Sequence, residues 1–146
     1  MVRARLIVMA LVLLSACDKP KPATPVAQAV LPAGQTAFLA IPRKGETADN
    51  FCGQFKTFDR FENWRGKVRD LRISTLDGTA DLEIDIGKGI RLEAIVPKTD
   101  PAYPALMKLG LEQPIVVSGH FTHANNDADC LYYFGPFGVH LSGLTS

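Results

Sequence analysis

The chain has 146 residues, 47% of them hydrophobic and 21% charged, and its 16 Lys and Arg against 15 Asp and Glu give a formal charge of +1. That length suits one domain with a modest core. So even a balance gives little long-range attraction for a polyanion, and nucleic acid is not expected as a partner.

At the N-terminus, Arg3 and Arg5 precede an apolar run from Leu6 to Leu14, which ends in Ser15, Ala16 and Cys17. Charged, then apolar, then small is the order of a secretory signal. The run is about half of the roughly 20 residues that a spanning helix needs. A buried helix would not account for its small-small-cysteine ending. The four residues Leu14-Ser15-Ala16-Cys17 resemble a bacterial lipobox. The resemblance implies a signal peptide at residues 1–16, cleavage before Cys17, and a diacylglycerol thioether on the Cys17 sulfur. The mature chain would then hang from a membrane by lipid. Asp18 resembles the inner-membrane retention signal of enteric lipoproteins, which implies the periplasmic face of the inner membrane, with the outer membrane as the alternative. Loss of Arg3 and Arg5 with the signal takes the formal charge from +1 to −1.

With Cys17 assigned to lipid, Cys52 and Cys130 remain as an even pair in an oxidising compartment. A bond between them closes a loop of about 80 residues and on the chain-entropy model stabilises the fold by about 4–5 kcal/mol. The alternative is two buried free thiols. No C-x-x-C spacing exists to make a metal site of them.

Residues 17–34 carry Pro20, Pro22, Pro25 and Pro32, whose missing donors and extended bias predict a tether. At about 3.1 Å per residue it holds the domain, residues 35–146, some 40 Å from its anchor. Thr36 to Ile41 reads as a short helix or strand stopped at Pro42. Phe51, Phe55 and Phe58 then recur at helical spacing with Cys52 beside them, behind Asp49 or Asn50 as cap. At that spacing the rings are core rather than a stacking platform.

Strands follow. Trp64, Gly66 and Val68 share one parity and Leu71, Ile73 and Thr75 the other, which predicts a bulge near Arg69-Asp70. Asp77-Gly78 turns the chain. Ala80, Leu82, Ile84 and Ile86 alternate with Asp81, Glu83 and Asp85, and after Gly87-Lys88-Gly89 the residues Ile90, Leu92, Ala94 and Val96 alternate with Arg91 and Glu93. Pro101 to Leu109 reads as a helix capped by Asp100 and stopped at Gly110, with Tyr103, Leu106 and Met107 covering the open end of a sheet. Ile115, Val117, Gly119 and Phe121 make a fourth strand, and Leu131 to Leu141 a last strand or pair of strands, broken at Gly135-Pro136.

A long bent strand, two strands in hairpin succession, a helix and two further strands resemble the oligonucleotide/oligosaccharide-binding barrel, a mainly β, five-stranded Greek-key fold with its helix between strands three and four. Trp64-Arg65-Gly66-Lys67-Val68 and Val117-Ser118-Gly119-His120-Phe121 are similar to uncharacterised bacterial lipoprotein domains of this type. The resemblance is structural and assigns no catalytic residue. The N-terminal helical segment is extra to the plain barrel.

Chemistry-bearing residues are few. His120 and His123 with Asp127 and Asp129 have the atom types of a metal site, but a spacing of three at a strand end turns the two histidines to opposite faces, so no metal is expected. Asn125 to Asp129 lacks the glycine and closing glutamate of a calcium loop. Ser118 has no nucleophile elbow around it. No phosphate loop or dinucleotide fingerprint implies a cofactor. Asp81, Glu83 and Asp85 form an acidic strand face, open to neutralisation by Lys88 and Arg91 and suited to a basic partner. Tyr103, Tyr132, Tyr133 and Phe137 are candidates for stacking on a sugar. The expected role is therefore a non-enzymatic module that binds an envelope protein partner. An oligosaccharide or peptidoglycan-type ligand held by exposed aromatics is the alternative, and a metal-dependent enzyme is a third.

Overall fold

Alternation of apolar and acidic residues makes β2 (Ala80–Gly87) a strand with one buried face, and β3 (Ile90–Val96), patterned the same way, pairs with it across the Gly87–Gly89 turn. The computed structural model describes residues 30–123 and 133–146. Around that hairpin, β1 (Arg60–Ile73), β4 (Pro114–Phe121) and β5 (Phe137–Thr145) close a barrel in the order β1-β2-β3-β5-β4. Every pairing is antiparallel except β3 with β5. This mainly β, five-stranded Greek-key barrel has the expected OB-like topology.

Two irregularities bend β1 enough to serve both neighbours. Its register with β2 shifts between Val68 and Asp70, where the parity change predicts a bulge. A second shift, against β4, falls between Phe61 and Trp64. Asn63 sits there at φ 54° and donates its N–H to Ser118 Oγ at 2.9 Å. That extra residue lets Phe61 and Trp64, three apart, both point inward. Gly119 on β4 faces the backbone carbonyl of His140, at a separation no Cβ could occupy.

Helices stop both ends of the barrel. The segment before β1 folds as α1 (Ala33–Ala40) and α2 (Ala48–Phe55), so the ambiguous stretch around Thr36–Ile41 is helical. The cap of α2 is Thr47, whose hydroxyl accepts from Asn50 N–H at 3.3 Å, rather than Asp49 or Asn50. Phe38 on α1 is fully buried, with ring centroids 5.2–6.1 Å from Phe55, Phe58, Trp64, Phe121 and Phe137. The aromatics of this segment are core, as their spacing predicts. At the other end, between β3 and β4, α3 is one turn (Tyr103–Leu106) rather than a helix from Pro101 to Leu109. Leu106 is its buried plug, whereas Met107 stays 47% exposed and covers nothing. β5 begins at Phe137, after the Gly135-Pro136 break, and runs on to Thr145 rather than ending at Leu141.

Backbone bonds from side chains fasten the larger plug. Gln35 is fully buried; its Nε2 donates to the carbonyls of Arg65 and Ile86 at 2.6 and 3.1 Å, and its Oε1 accepts from Arg65 N–H at 2.8 Å. The amide thus supplies bonds that β1 and β2 do not make to each other where they part. Arg43 lies over the rings of Phe38 and Phe51 and donates to the carbonyls of Tyr133, Ile41 and Phe38 at 2.6–3.0 Å. Burial without a carboxylate partner pushes its pKa down to about 10.

Candidate functional site

Side chains fill the barrel interior, from Val68, Leu82 and Ile84 to Leu92, Val117 and Phe137, so binding surfaces have to be sought on the outer wall. The register fixes that wall. Asp70, Glu83, Glu93 and Gly138 are successive partners across β1, β2, β3 and β5, and Arg72, Asp81 and Ile95 make the adjacent row. Carboxylates therefore stand directly opposite one another on three strands, an arrangement that costs stability unless cations intervene.

Two arginines intervene. Arg72 bridges Asp70 and Asp81 at 3.3 and 2.9 Å, and Arg91 reaches Glu83 at 3.2 Å and the carbonyl of Gly135 at 3.2 Å. Lys88 does not join them: its ammonium caps the end of α1 at the carbonyl of Leu39, 3.1 Å away. Asp85 turns inward on its own strand end, accepting from Gly87 N–H at 2.8 Å. Glu93 has no ion-pair partner among the described residues. Its half-buried setting, with Asp81 and Glu83 nearby, holds its carboxyl pKa above the ordinary value. One oxygen of Asp81 is buried with no hydrogen-bond partner among the described residues.

Gly138 carries no side chain, which opens a shallow depression beside this row. Glu93 and Ile95 form one wall, Thr122, His120 and His140 the other. A Cβ on Gly138 would meet Thr122 Oγ1 at 2.7 Å. His120 and His140 are exposed cross-strand partners on β4 and β5, with ring centroids 5.1 Å apart. Their adjacency depends on a register between strands about 20 residues apart, which the spacing of histidines in the sequence does not reveal. His123 is elsewhere: at φ 43° it leaves the strand, packs 4.9 Å from the Phe55 ring and holds its Nε2 2.8 Å from the carbonyl of Phe58. His120 and His123 thus do not converge, and no group of three or more His, Cys, Asp or Glu is placed to hold a metal among the described residues.

The candidate aromatics separate. Phe137 is fully buried, so its ring is unavailable for stacking on a sugar. Tyr103 donates its hydroxyl to the carbonyl of Gly78 at 2.7 Å, tying α3 to the β1–β2 turn. Tyr133 packs edge-on against Phe51 at 5.1 Å and its hydroxyl bonds the carbonyl of Glu46 at 3.3 Å. Tyr132, Cys130, Asp127, Asp129 and Cys17 lie outside the described residues. Among the described phenylalanines the exposed ring is Phe134, at 48%, which the sequence did not single out. Ser118 is a strand-bracing hydroxyl, engaged with Asn63 N–H. No helix among the described residues is long and apolar enough to cross a membrane. Comparison with family models, with curated proteins and with solved structures finds no match to this chain.

Proposed function

We propose that the protein is a lipid-anchored module of the bacterial cell envelope that docks a basic surface of a partner protein on the outer wall of β2 and β3. The observation that carries this reading is the cross-strand carboxylate row, in which Glu93 has no ion pair among the described residues and its pKa is raised. A row of like charges opposes folding, and a guanidinium or ammonium from a partner would relieve it. The same row repels phosphates, which argues against an oligonucleotide ligand on the strands that face one in other OB barrels. A filled interior and the loss of Phe137 and Tyr133 to packing weigh against the glycan alternative.

The anchor in this reading is lipid on Cys17, on the periplasmic side of the inner membrane, with residues 17–34 as spacer. It is supported by the lipobox order and by a helix that begins at Ala33, just past the proline-rich stretch of the sequence. A Cys52–Cys130 disulfide belongs to the same reading. His123 and Tyr133, which flank the stretch containing Cys130, both pack on rings of α2, the helix that carries Cys52.

Photo-cross-linking in intact cells tests the docking surface. A cross-linker at Ile95, exposed on β3 beside the row, is expected to capture one envelope protein in stoichiometric yield, and a cross-linker at Glu62, exposed on β1, is expected not to. Capture from that position should disappear when Asp81→Lys and Glu83→Lys are added on β2. Identical products from both positions would remove the docking surface. Release of the Cys17→Ser variant from membranes tests the anchor, and alkylation of Cys52 and Cys130 without reductant would refute the disulfide.

A further inference from the structure

We infer that His120 and His140 together chelate a divalent late transition-metal ion on the outside of the barrel, with water completing its coordination. The two imidazoles are direct partners across the antiparallel β4–β5 ladder of the closed barrel, and both are exposed. An ion that binds two cis imidazoles at about 2.0–2.1 Å, with a right to tetrahedral angle between them, places the ring centres roughly 4.5–5.2 Å apart. The observed separation is 5.1 Å, with the ring planes 44° from parallel. A separation in that range asks for ring rotation alone and no strand movement.

The surroundings favour a cation. Glu93 lines the same depression and lacks an ion pair among the described residues, with Asp81 and Glu83 behind it. Arg72 and Arg91 oppose it but are paired with Asp70, Asp81 and Glu83, and Arg60, the β1 partner of His120, is solvated and lies 3.9 Å from Asp59. Gly138 leaves the floor open for water ligands, and Thr122 offers a hydroxyl beside it. Two protein nitrogens with water suit tetragonal Cu2+ and Ni2+, and the order of affinity should be Cu2+ above Ni2+, with Mn2+ weakest. Calcium and magnesium, which take oxygen ligands, are not expected to compete.

The test uses the untagged full-length mature protein and the metal chlorides alone. Calorimetry should give one saturable Cu2+ site, and its electron paramagnetic spectrum should show two equatorial nitrogens. Affinity should fall toward acid, because protons compete for the same nitrogens. His120→Gln and His140→Gln should each lose the saturable site and one nitrogen coupling, with thermal unfolding unchanged because both rings are exposed. Gly138→Ser, which crowds the floor, should weaken the ion without removing either histidine. Binding that survives in both single variants, or that shows no imidazole nitrogen, overturns the assignment. Equal affinity for Cu2+ and Mn2+ would do the same, since it would indicate carboxylates rather than imidazoles.

Discussion

The two plugs of the barrel differ in how they are fixed. β2 runs from one to the other: its start follows the turn whose Gly78 carbonyl accepts from Tyr103 of α3, and its end carries the Ile86 carbonyl that accepts from Gln35 of α1. The α3 end is stopped by one leucine on a single helical turn. The α1–α2 end is stopped by a cluster of rings centred on Phe38 and clamped by Gln35 and Arg43, whose bonds all go to backbone. Side chains that replace missing ladder bonds make an added segment part of the barrel, whereas a single apolar residue only covers an opening.

Substitutions at the two ends should show that difference, measured as urea midpoints at constant denaturant slope. Phe38→Ala removes the ring that touches five others and should cost about 3–5 kcal/mol. Leu106→Ala should cost about 2–3 kcal/mol, the lower part of the range for buried leucines, because a one-turn helix can settle into the gap. Equal losses at both positions would mean that the ends are equivalent. Gln35→Met keeps the volume and removes three backbone partners at once, leaving Arg65 N–H and the carbonyls of Arg65 and Ile86 unpaired; about 1–3 kcal/mol should be lost. A neutral result there would reduce the α1–α2 plug to simple apolar cover.

Legibility in the sequence followed the same division. Strands β2, β3 and β4 alternate strictly, because each has one face in the core and one in solvent, and their buried residues can be read without a structure. The bulge in β1 is legible for the same reason, since a change of parity has few other causes. The helix of residues 33–40 is not, because eight residues with Phe38 and Leu39 adjacent and buried show no clean period, and its decisive residue is a polar Gln35. Long-range register is the other hidden quantity. It decides that Glu83 faces Glu93, that His120 faces His140, and that Lys88 turns to α1 rather than to the acidic row. None of these follows from spacing along one strand.

The smallest effect is expected on the outer wall, and its sign separates strain from ordinary surface pairing. Glu93 has a pKa raised in the folded state, by burial first and by Asp81 and Glu83 next, with Arg72 and Arg91 opposing. Its ionisation therefore favours the unfolded chain. The penalty is absent below the unfolded pKa, grows as pH rises through the folded one, and is complete above it. Glu93→Gln removes it, so the variant should be more stable than the parent at neutral pH, by up to about 1 kcal/mol for a directly opposed like-charge pair. The gain should shrink to nothing as acid protonates the parent. A variant that is less stable at neutral pH would mean that Arg72 and Arg91 satisfy Glu93 after all, and the wall would then have no unbalanced charge to offer a partner.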